Sequence, residues 1–350
     1  MSWQTTLTDS WLHRGLLARL LWPVSRVYAL LQRLHAQTSQ SPRPLSCPTI
    51  VVGNVVVGGA GKTPLTIALC EALIARGEQP GVVSKGYGRQ SHKPLVDVTP
   101  QTPASEAGDE PVVMAQALNC PVVVCNERGN GIRHLLAQYP DTTVVLCDDG
   151  LQDPHLHRDV EIVVFDERGV GNGWLLPAGP LREHWPRTPA PNVRSLLVQG
   201  ATAGDNIAPL PGSHGPMWLV WRQLDEYLSP LNGPESIPLT SLVGQSVQAL
   251  AGIAKPQAFF QMLQAQGLVV EHRVTRPDHD ALINVEALLQ PNLPLITTAK
   301  DAVKLRATLP PELAAHVWVA HLALTLPDSL ITALMQAIQI RQSELSSHHG

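Results

Sequence analysis

Short apolar runs recur along this chain, and most are followed by a stretch in which apolar residues return every three or four positions. The first pattern predicts buried strands and the second predicts amphipathic helices. The strands fall at Thr49–Gly53, Gly81–Ser84, Pro121–Cys125, Thr142–Cys147 and Glu161–Asp166, with helices at Leu65–Arg76, Asp109–Leu118 and Glu127–Gln138. The runs are continuous Val, Ile and Leu rather than alternating with polar residues. Strands of that kind are buried on both faces, so the pattern predicts an α/β fold built on a mostly parallel sheet.

From Pro177 to Pro238 the pattern changes. Eleven of the 31 prolines fall there and helical periodicity is lost, although Ser195–Gln199 and Met217–Gln223 are spaced like strands. A second alternation follows: strand Val247–Ile253, helix Gln257–Gln266, strand Val269–Thr275, helix Ala281–Leu289 and strand Leu295–Thr298. It closes with strand Val317–Ala320 and a helix near Asp328–Arg341. The expected organisation is an N-terminal helical segment (1–40), a first domain (41–215), a link (216–245) and a smaller C-terminal α/β domain (246–350).

The N-terminal segment has its own pattern. Leu17, Leu20, Val24, Val27, Leu31 and Leu34 form one stripe, with Arg19, Arg26 and Arg33 every seven residues along its flank. Three of the eight tryptophans (Trp3, Trp11, Trp22) are here too. An apolar face with flanking arginines and tryptophans suits a helix lying in a membrane surface, and equally a helix packed on its own domain. Pro23 is expected to kink this helix or divide it in two. No uninterrupted apolar run reaches the ~18 residues needed to span a bilayer.

Composition narrows the class. The chain of 350 residues is 44% hydrophobic and 15% charged, as expected of a globular protein of about two domains. A net charge of −4 argues against general nucleic-acid binding. Five cysteines without a C-x-x-C pair fit a reducing compartment.

The densest chemistry follows the first strand. Val57-Gly58-Gly59-Ala60-Gly61-Lys62-Thr63-Pro64 places a glycine-rich turn between a strand and a helix that opens on Lys-Thr. Glycines let backbone N–H groups close on phosphate oxygens, Lys62 adds a point charge and Thr63 offers a hydroxyl to Mg²⁺. Val56 stands where the strict G-x-x-x-x-G-K-S/T spacing needs glycine, and Val57 stands where the deviant K-G-G-x-G-K-S/T loop needs its lysine. The order of strand, turn and helix nonetheless predicts a nucleoside triphosphate site, with Gly58, Gly59, Ala60, Gly61, Lys62 and Thr63 as the cradle.

Three further groups can serve such a site. Asp148 and Asp149 end a later apolar strand, where P-loop proteins hold Mg²⁺ directly or through water. Tyr87 and Arg89, in Ser84-Lys85-Gly86-Tyr87-Gly88-Arg89, can stack on a sugar and pair with an anion, or form a glycine loop with solvated cations. Asp109 and Glu110 open a helix before Pro111. They serve either as a cap and a dipole partner or as a general base beside a metal-directed carboxylate. His279, in Pro277-Asp278-His279-Asp280, is either a loop residue or a catalyst.

Together these blocks resemble the tetraacyldisaccharide 4'-kinase family, the lipid A kinases of Gram-negative bacteria. The resemblance rests on Gly53-Asn54 with Gly58–Pro64, Ser84–Arg89, Gly108–Pro111 and Asp148-Asp149-Gly150-Leu151-Gln152. It continues through Gly171–Trp174, Leu176–Glu183, Pro277–His279 and Lys300–Lys304, in family order over nearly the whole chain. It implies a P-loop NTPase-like α/β/α domain and a smaller α/β/α domain joined by a β-stranded linker. It also implies transfer of the γ-phosphate of ATP to the 4'-hydroxyl of an acylated glucosamine disaccharide 1-phosphate, at the cytoplasmic face of the inner membrane. A monomer is expected.

By the resemblance, Asp109 and His279 form a general-base pair drawn from different domains, with Lys62 as a catalytic cation. Metal ligands would be Thr63, Glu110, Asp148 and Asp149, and the acceptor would meet Tyr87, Arg89, Gln152 and Glu183. Two positions depart from the family pattern: Asp153 stands where a His is common, and Asp280 is more acidic than expected. A switch ATPase or GTPase of the deviant P-loop kind is the alternative, weakened by Val57 and by the lack of an N-K-x-D motif.

Overall fold

The computed structural model describes residues 8, 10–38, 44–202, 205–208, 210–212 and 216–347. Trp3, the boundary at residue 40 and the last residues of the tail lie outside the described residues. In chain order the elements are α1 (Leu16–Thr38), β1 (Thr49–Gly53), α2 (Lys62–Ile74), β2 (Pro80–Ser84), β3 (Leu95–Val98), α3 (Asp109–Ala117), β4 (Val122–Cys125) and α4 (Arg128–Gln138). They continue with β5 (Val144–Asp148), β6 (Val160–Phe165), β7 (Arg194–Ala201), β8 (Met217–Pro230), β9 (Ile237–Pro238), β10 (Ser246–Ala251) and α5 (Pro256–Ala265). The last are β11 (Val269–Thr275), β12 (Leu295–Thr298), α6 (Ala299–Thr308), β13 (Val317–Thr325) and α7 (Asp328–Ser347).

The chain forms two compact units. The first comprises the residues up to Lys85, Cys125–Trp221 and the segment from Thr325 onward. Its sheet is parallel in the order β7-β6-β1-β5-β2, with the start of β8 added beside β7. Every residue of β1, β2, β5 and β6 is buried, which is why these strands read as unbroken apolar runs. Helix α2 packs on β1, β2 and β5 through residues spaced three and four apart, Leu65, Thr66, Leu69, Cys70 and Leu73.

The second unit comprises Gly86–Val124 and Arg222–Leu324. Its parallel sheet runs β11-β10-β12-β13, and the far half of β8 pairs antiparallel with β9. Alternation along β10 sends Ala249 and Leu250 into two different cores. One is covered by Phe259, Phe260 and Leu263 of α5, and the other by Ala302 and Leu305 of α6.

Sequence grouping and spatial grouping differ at residues 86–124. The chain pattern joins them to the preceding P-loop segment, yet they cluster with 222–324 because α3 packs against the distant α6. Another difference is the expected helix Ala281–Leu289. Leu282 and Asn284 both take φ of 55°, outside the helical region, and only a 3₁₀ turn forms at Val285–Leu288. The apolar spacing there is real, but it supplies Leu282 and Val285 to a core without a helix.

Helix α1 is continuous, with Pro23 inside it, so it is not divided into two shorter helices. Its three sides differ. Ala18, Ser25 and Ala29 are buried against the first unit. The stripe Leu17, Leu20, Val24, Val27, Leu31 and Leu34 is exposed, with Leu20 at 69% and Val27 at 57%. Arg19, Arg26 and Arg33 are exposed as well. The buried side is fixed through backbone groups: Ser25 Oγ donates to Leu175 O and accepts from Ala178 N. Tyr28 and Gln32 both donate to Arg182 O. Upstream, Trp11 Nε1 donates to Pro177 O and Arg14 Nε to Asn172 O.

Candidate active site

In the first unit the glycine loop leaves the carboxyl end of β1, the edge at which open α/β sheets bind ligands. Gly61 takes a left-handed conformation (φ 83°, ψ 30°) as the residue before α2, which starts the helix at Lys62 rather than at Leu65 as its apolar spacing suggests. Gly53 must be glycine for a packing reason, since a Cβ there would lie 2.5 Å from that of Leu151. The close approach seats the turn after β5 against the turn after β1. Register does the rest: Val52 pairs with Asp148, so Asp148 and Asp149 emerge beside the loop.

Lys62 Nζ lies 3.5 Å from Asp149 Oδ1 and donates to Asn54 Oδ1 at 3.3 Å. Buried Asn54 in turn donates to Val56 O and Gly58 O, so one amide ties the lysine to the loop backbone. Arg182 Nη1 also pairs with Asp149, at 3.3 Å. Burial opposes ionisation of Asp149, but the charges of Lys62, Arg182 and Arg128 outweigh it and hold the carboxyl below its ordinary range. Arg128 Nη2 donates to the backbone oxygens of both Asp148 and Asp149, fixing the end of the strand. Gln152 Nε2 bridges Asn54 O at 2.9 Å and Glu183 Oε1 at 2.7 Å.

Thr63, Asp148 and Asp149 offer only oxygen donors, which suits a hard divalent cation such as Mg²⁺. Among the described residues no three His, Cys, Asp or Glu side chains form a metal-holding group, so water and phosphate would have to complete the ion's shell.

The second unit carries a different cluster. Asp109, 5% exposed, is the first residue of α3, and its Oδ2 lies 3.5 Å from His279 Nδ1. Glycines bring the surrounding loops together: a Cβ on Gly86 would lie 2.4 Å from Ala107 O, and one on Gly108 would lie 2.9 Å from Tyr87 O. Tyr87 meets the His279 ring edge-on, with centroids 5.0 Å apart. Lys304 Nζ lies 3.3 Å and Lys300 Nζ 3.8 Å from Asp109 Oδ2. Lys300 also donates to Glu110 at 3.1 Å and to Asp278 at 3.0 Å. Burial would lower the Lys300 pKa, but Glu110, Asp109 and Asp278 reverse that and keep it firmly charged.

A P-loop, a second-strand carboxylate pair and an Asp–His cluster thus stand on one chain. The family model described as LpxK, tetraacyldisaccharide-1-P 4'-kinase, matches residues 17–339. The chain belongs to this kinase family. A tetraacyldisaccharide 4'-kinase of Polaromonas naphthalenivorans is 44% identical over 348 residues, covering 98% of each chain. One from Janthinobacterium is 40% identical, covering 96% of each chain. The crystal structure of LpxK from Aquifex aeolicus in complex with ATP shares the fold with a TM-score of 0.73. It is 25% identical and covers 92% of this chain and 100% of that one.

Against the family pattern, both departures find structural partners. Asp153 pairs with Arg128 at 3.4 Å and so supports the residue that fixes the Asp148-Asp149 backbone. Asp280 accepts from Leu282 N at 2.7 Å and pairs with Arg276, closing the turn that carries His279. Of the candidate residues, the loop Gly58–Thr63, Asp148, Asp149, Gln152 and Glu183 belong to the first unit. Asp109, Glu110, Tyr87, Arg89 and His279 belong to the second. Asp109 and His279 therefore come from one unit and not from two, and Glu110 is engaged by Lys300.

Several site residues carry no weight in the sequence reading. Arg128 and the Asp149 contact of Arg182 are invisible to local pattern. Lys300 and Lys304 did leave a signal: Thr298-x-x-Asp301 is the pattern of a helix start, and Thr298 is the N-cap, its Oγ1 accepting from Asp301 N. A helix begun there puts the two lysines on one face, four residues apart.

Proposed function

We propose that this chain transfers the γ-phosphate of ATP to the 4'-hydroxyl of a tetraacylated glucosamine disaccharide 1-phosphate. The observation that carries the proposal is the pairing of Lys62 with Asp149 at the mouth of the glycine loop, in a chain that matches the kinase family over 17–339. Lys62 neutralises charge on the β- and γ-phosphates, while the loop N–H groups hold them in place. Thr63, Asp148 and Asp149 are the residues that would hold Mg²⁺, which screens phosphate charge during transfer. Asp109 accepts the proton of the sugar hydroxyl, a poor nucleophile at neutral pH, and His279 orients it. Tyr87, Arg89, Gln152 and Glu183 are the proposed acceptor contacts.

The same reading makes the protein peripheral to the cytoplasmic face of the inner membrane. Its support is the stripe on α1, which faces away from the protein with arginines beside it. No helix among the described residues is long and apolar enough to cross a bilayer.

ADP release measured with and without the tetraacylated disaccharide 1-phosphate tests the proposal. Release should depend on the acceptor and fall by orders of magnitude in Lys62→Ala, with thermal unfolding little changed. Acceptor-independent hydrolysis would instead favour a switch ATPase, and normal turnover in a folded Lys62→Ala would remove the loop from the chemistry.

A further inference from the structure

The glycine loop lacks a cation of its own at position 57, where the deviant P-loop carries lysine. The structure brings one there from elsewhere. Strand β6 lies beside β1 in parallel, with Gly53 opposite Val163, so the turn after β6 rises next to the glycine loop. That turn holds Asp166, fully buried, and Arg168. Arg168 donates to the Asp166 carboxylate from its backbone N, from Nε at 2.9 Å and from Nη2 at 2.7 Å. The fork fixes the plane of the guanidinium. Nη2 also donates to Val57 O at 3.3 Å.

The guanidinium lies over Gly58. A Cβ built on that residue would meet Arg168 Nη2 at 3.3 Å and Nη1 at 3.9 Å. Gly58 sits at φ 104°, which already disfavours any side chain. Asp166 and Val57 O account for Nε and Nη2, but Nη1 has no hydrogen-bond partner among the described residues. The side chain is 26% exposed, so it is neither sealed in the core nor loose on the surface. Lys62 and Arg182, the other cations at the loop, both pair with Asp149, whereas Arg168 does not.

Direction along the loop indicates what Nη1 would meet. N–H groups at the start of α2, by Lys62 and Thr63, take the inner phosphates. Following the loop back towards Gly58 leads to the terminal one.

We infer that Arg168 contacts the γ-phosphate of the bound nucleoside triphosphate, replacing in space the lysine that the loop lacks in sequence. This rests on the proposed nucleotide site. An arginine already held by a carboxylate needs no reordering to meet a phosphate, and it stays charged at any working pH. The expectation is discrimination between ATP and ADP, because only ATP offers the group that Arg168 touches.

The test is calorimetric binding of ATP and of ADP, each with Mg²⁺ and no acceptor, to the full wild-type chain, Arg168→Ala and Arg168→Lys. Loss of one charge-assisted contact should weaken ATP about tenfold in Arg168→Ala while ADP stays within about twofold. Arg168→Lys keeps a cation for buried Asp166, so it should fold as wild type, and it should show a smaller loss confined to ATP. Thermal unfolding establishes that each variant is folded. Equal weakening of ATP and ADP would overturn the assignment and leave Arg168 as a brace for the loop. Unchanged affinities for both would overturn it too. A wild-type chain that binds neither nucleotide overturns the nucleotide site itself.

Discussion

Lys304 Nζ and Asp109 Oδ2 lie 3.3 Å apart, both buried, in an ion pair whose geometry falls short of a hydrogen bond. A carboxylate in this position cannot rely on water. It depends on the groups around it, the cations Lys304 and Lys300 from α6 and the His279 ring from the turn after β11. Lys304→Met should therefore destabilise the protein by about 2–3 kcal/mol, at or below the low end for breaking a buried pair because Lys300 remains. Urea unfolding of the variant checks this, and a stability equal to wild type would show that Lys300 alone suffices.

The 3.5 Å separation of Asp109 and His279 makes a second expectation concrete. Asp109→Asn should lower kcat by roughly 10²–10⁴, the usual worth of a general base, with KM for the acceptor little changed. His279→Ala should act in the same direction. If the two work as one device, the double variant loses little beyond the worse single one. Losses that multiply would mean independent roles, and an active Asp109→Asn would leave Asp109 as a helix cap only.

Three exposed arginines on α1 can be reversed without touching its packed side. Replacing Arg19, Arg26 and Arg33 by Glu should weaken binding to anionic vesicles, since each well-placed cation contributes up to about 1 kcal/mol near such a surface. Activity on membrane-embedded acceptor should fall more than activity on detergent-dispersed acceptor. Equal partitioning of wild type and variant would separate the stripe from any lipid.

Burial pushes the Cys147 thiol, at the end of β5, up to about 12 from an ordinary 9.0, with Asp153 and Asp148 adding to it and two arginines opposing. Iodoacetamide at pH 8 should then modify Cys147 roughly a thousandfold more slowly in the native protein than in the unfolded chain. The sign for stability follows from the same shift. The thiol favours the folded state fully below pH 9, and this contribution is lost as pH rises towards 12. Native alkylation at the unfolded rate would contradict the burial of this strand.

How much of this was legible in the chain depends on how far each cause reaches. Thr49–Gly53 and the glycine loop declare themselves because burial on two faces and a phosphate cradle both leave contiguous marks. The carboxylates at 148 and 149 needed only the end of an apolar run. The turn at Leu282 and Asn284 did not declare itself, because periodicity records which side chains are buried and not the backbone angles that bury them. Strand β3 is buried only at alternate positions and carries the exposed Asp97, so it leaves no continuous apolar run. The grouping of 86–124 with 222–324, and the lysines around Asp109, depend on α3 meeting α6. Such contacts join residues that no local window contains.

Helix α1 is hydrogen-bonded to carbonyl and amide groups at Leu175, Ala178 and Arg182. Arg182 N in turn donates to Val55 O, and its guanidinium pairs with Asp149. A shortened protein made without this helix would therefore present bare backbone along the strip that props the nucleotide loop. Loss of turnover after such a truncation could not be credited to lost lipid contact alone. Surface charge reversal is the cleaner instrument, because it alters what the helix shows to the outside while its grip on the enzyme stays intact.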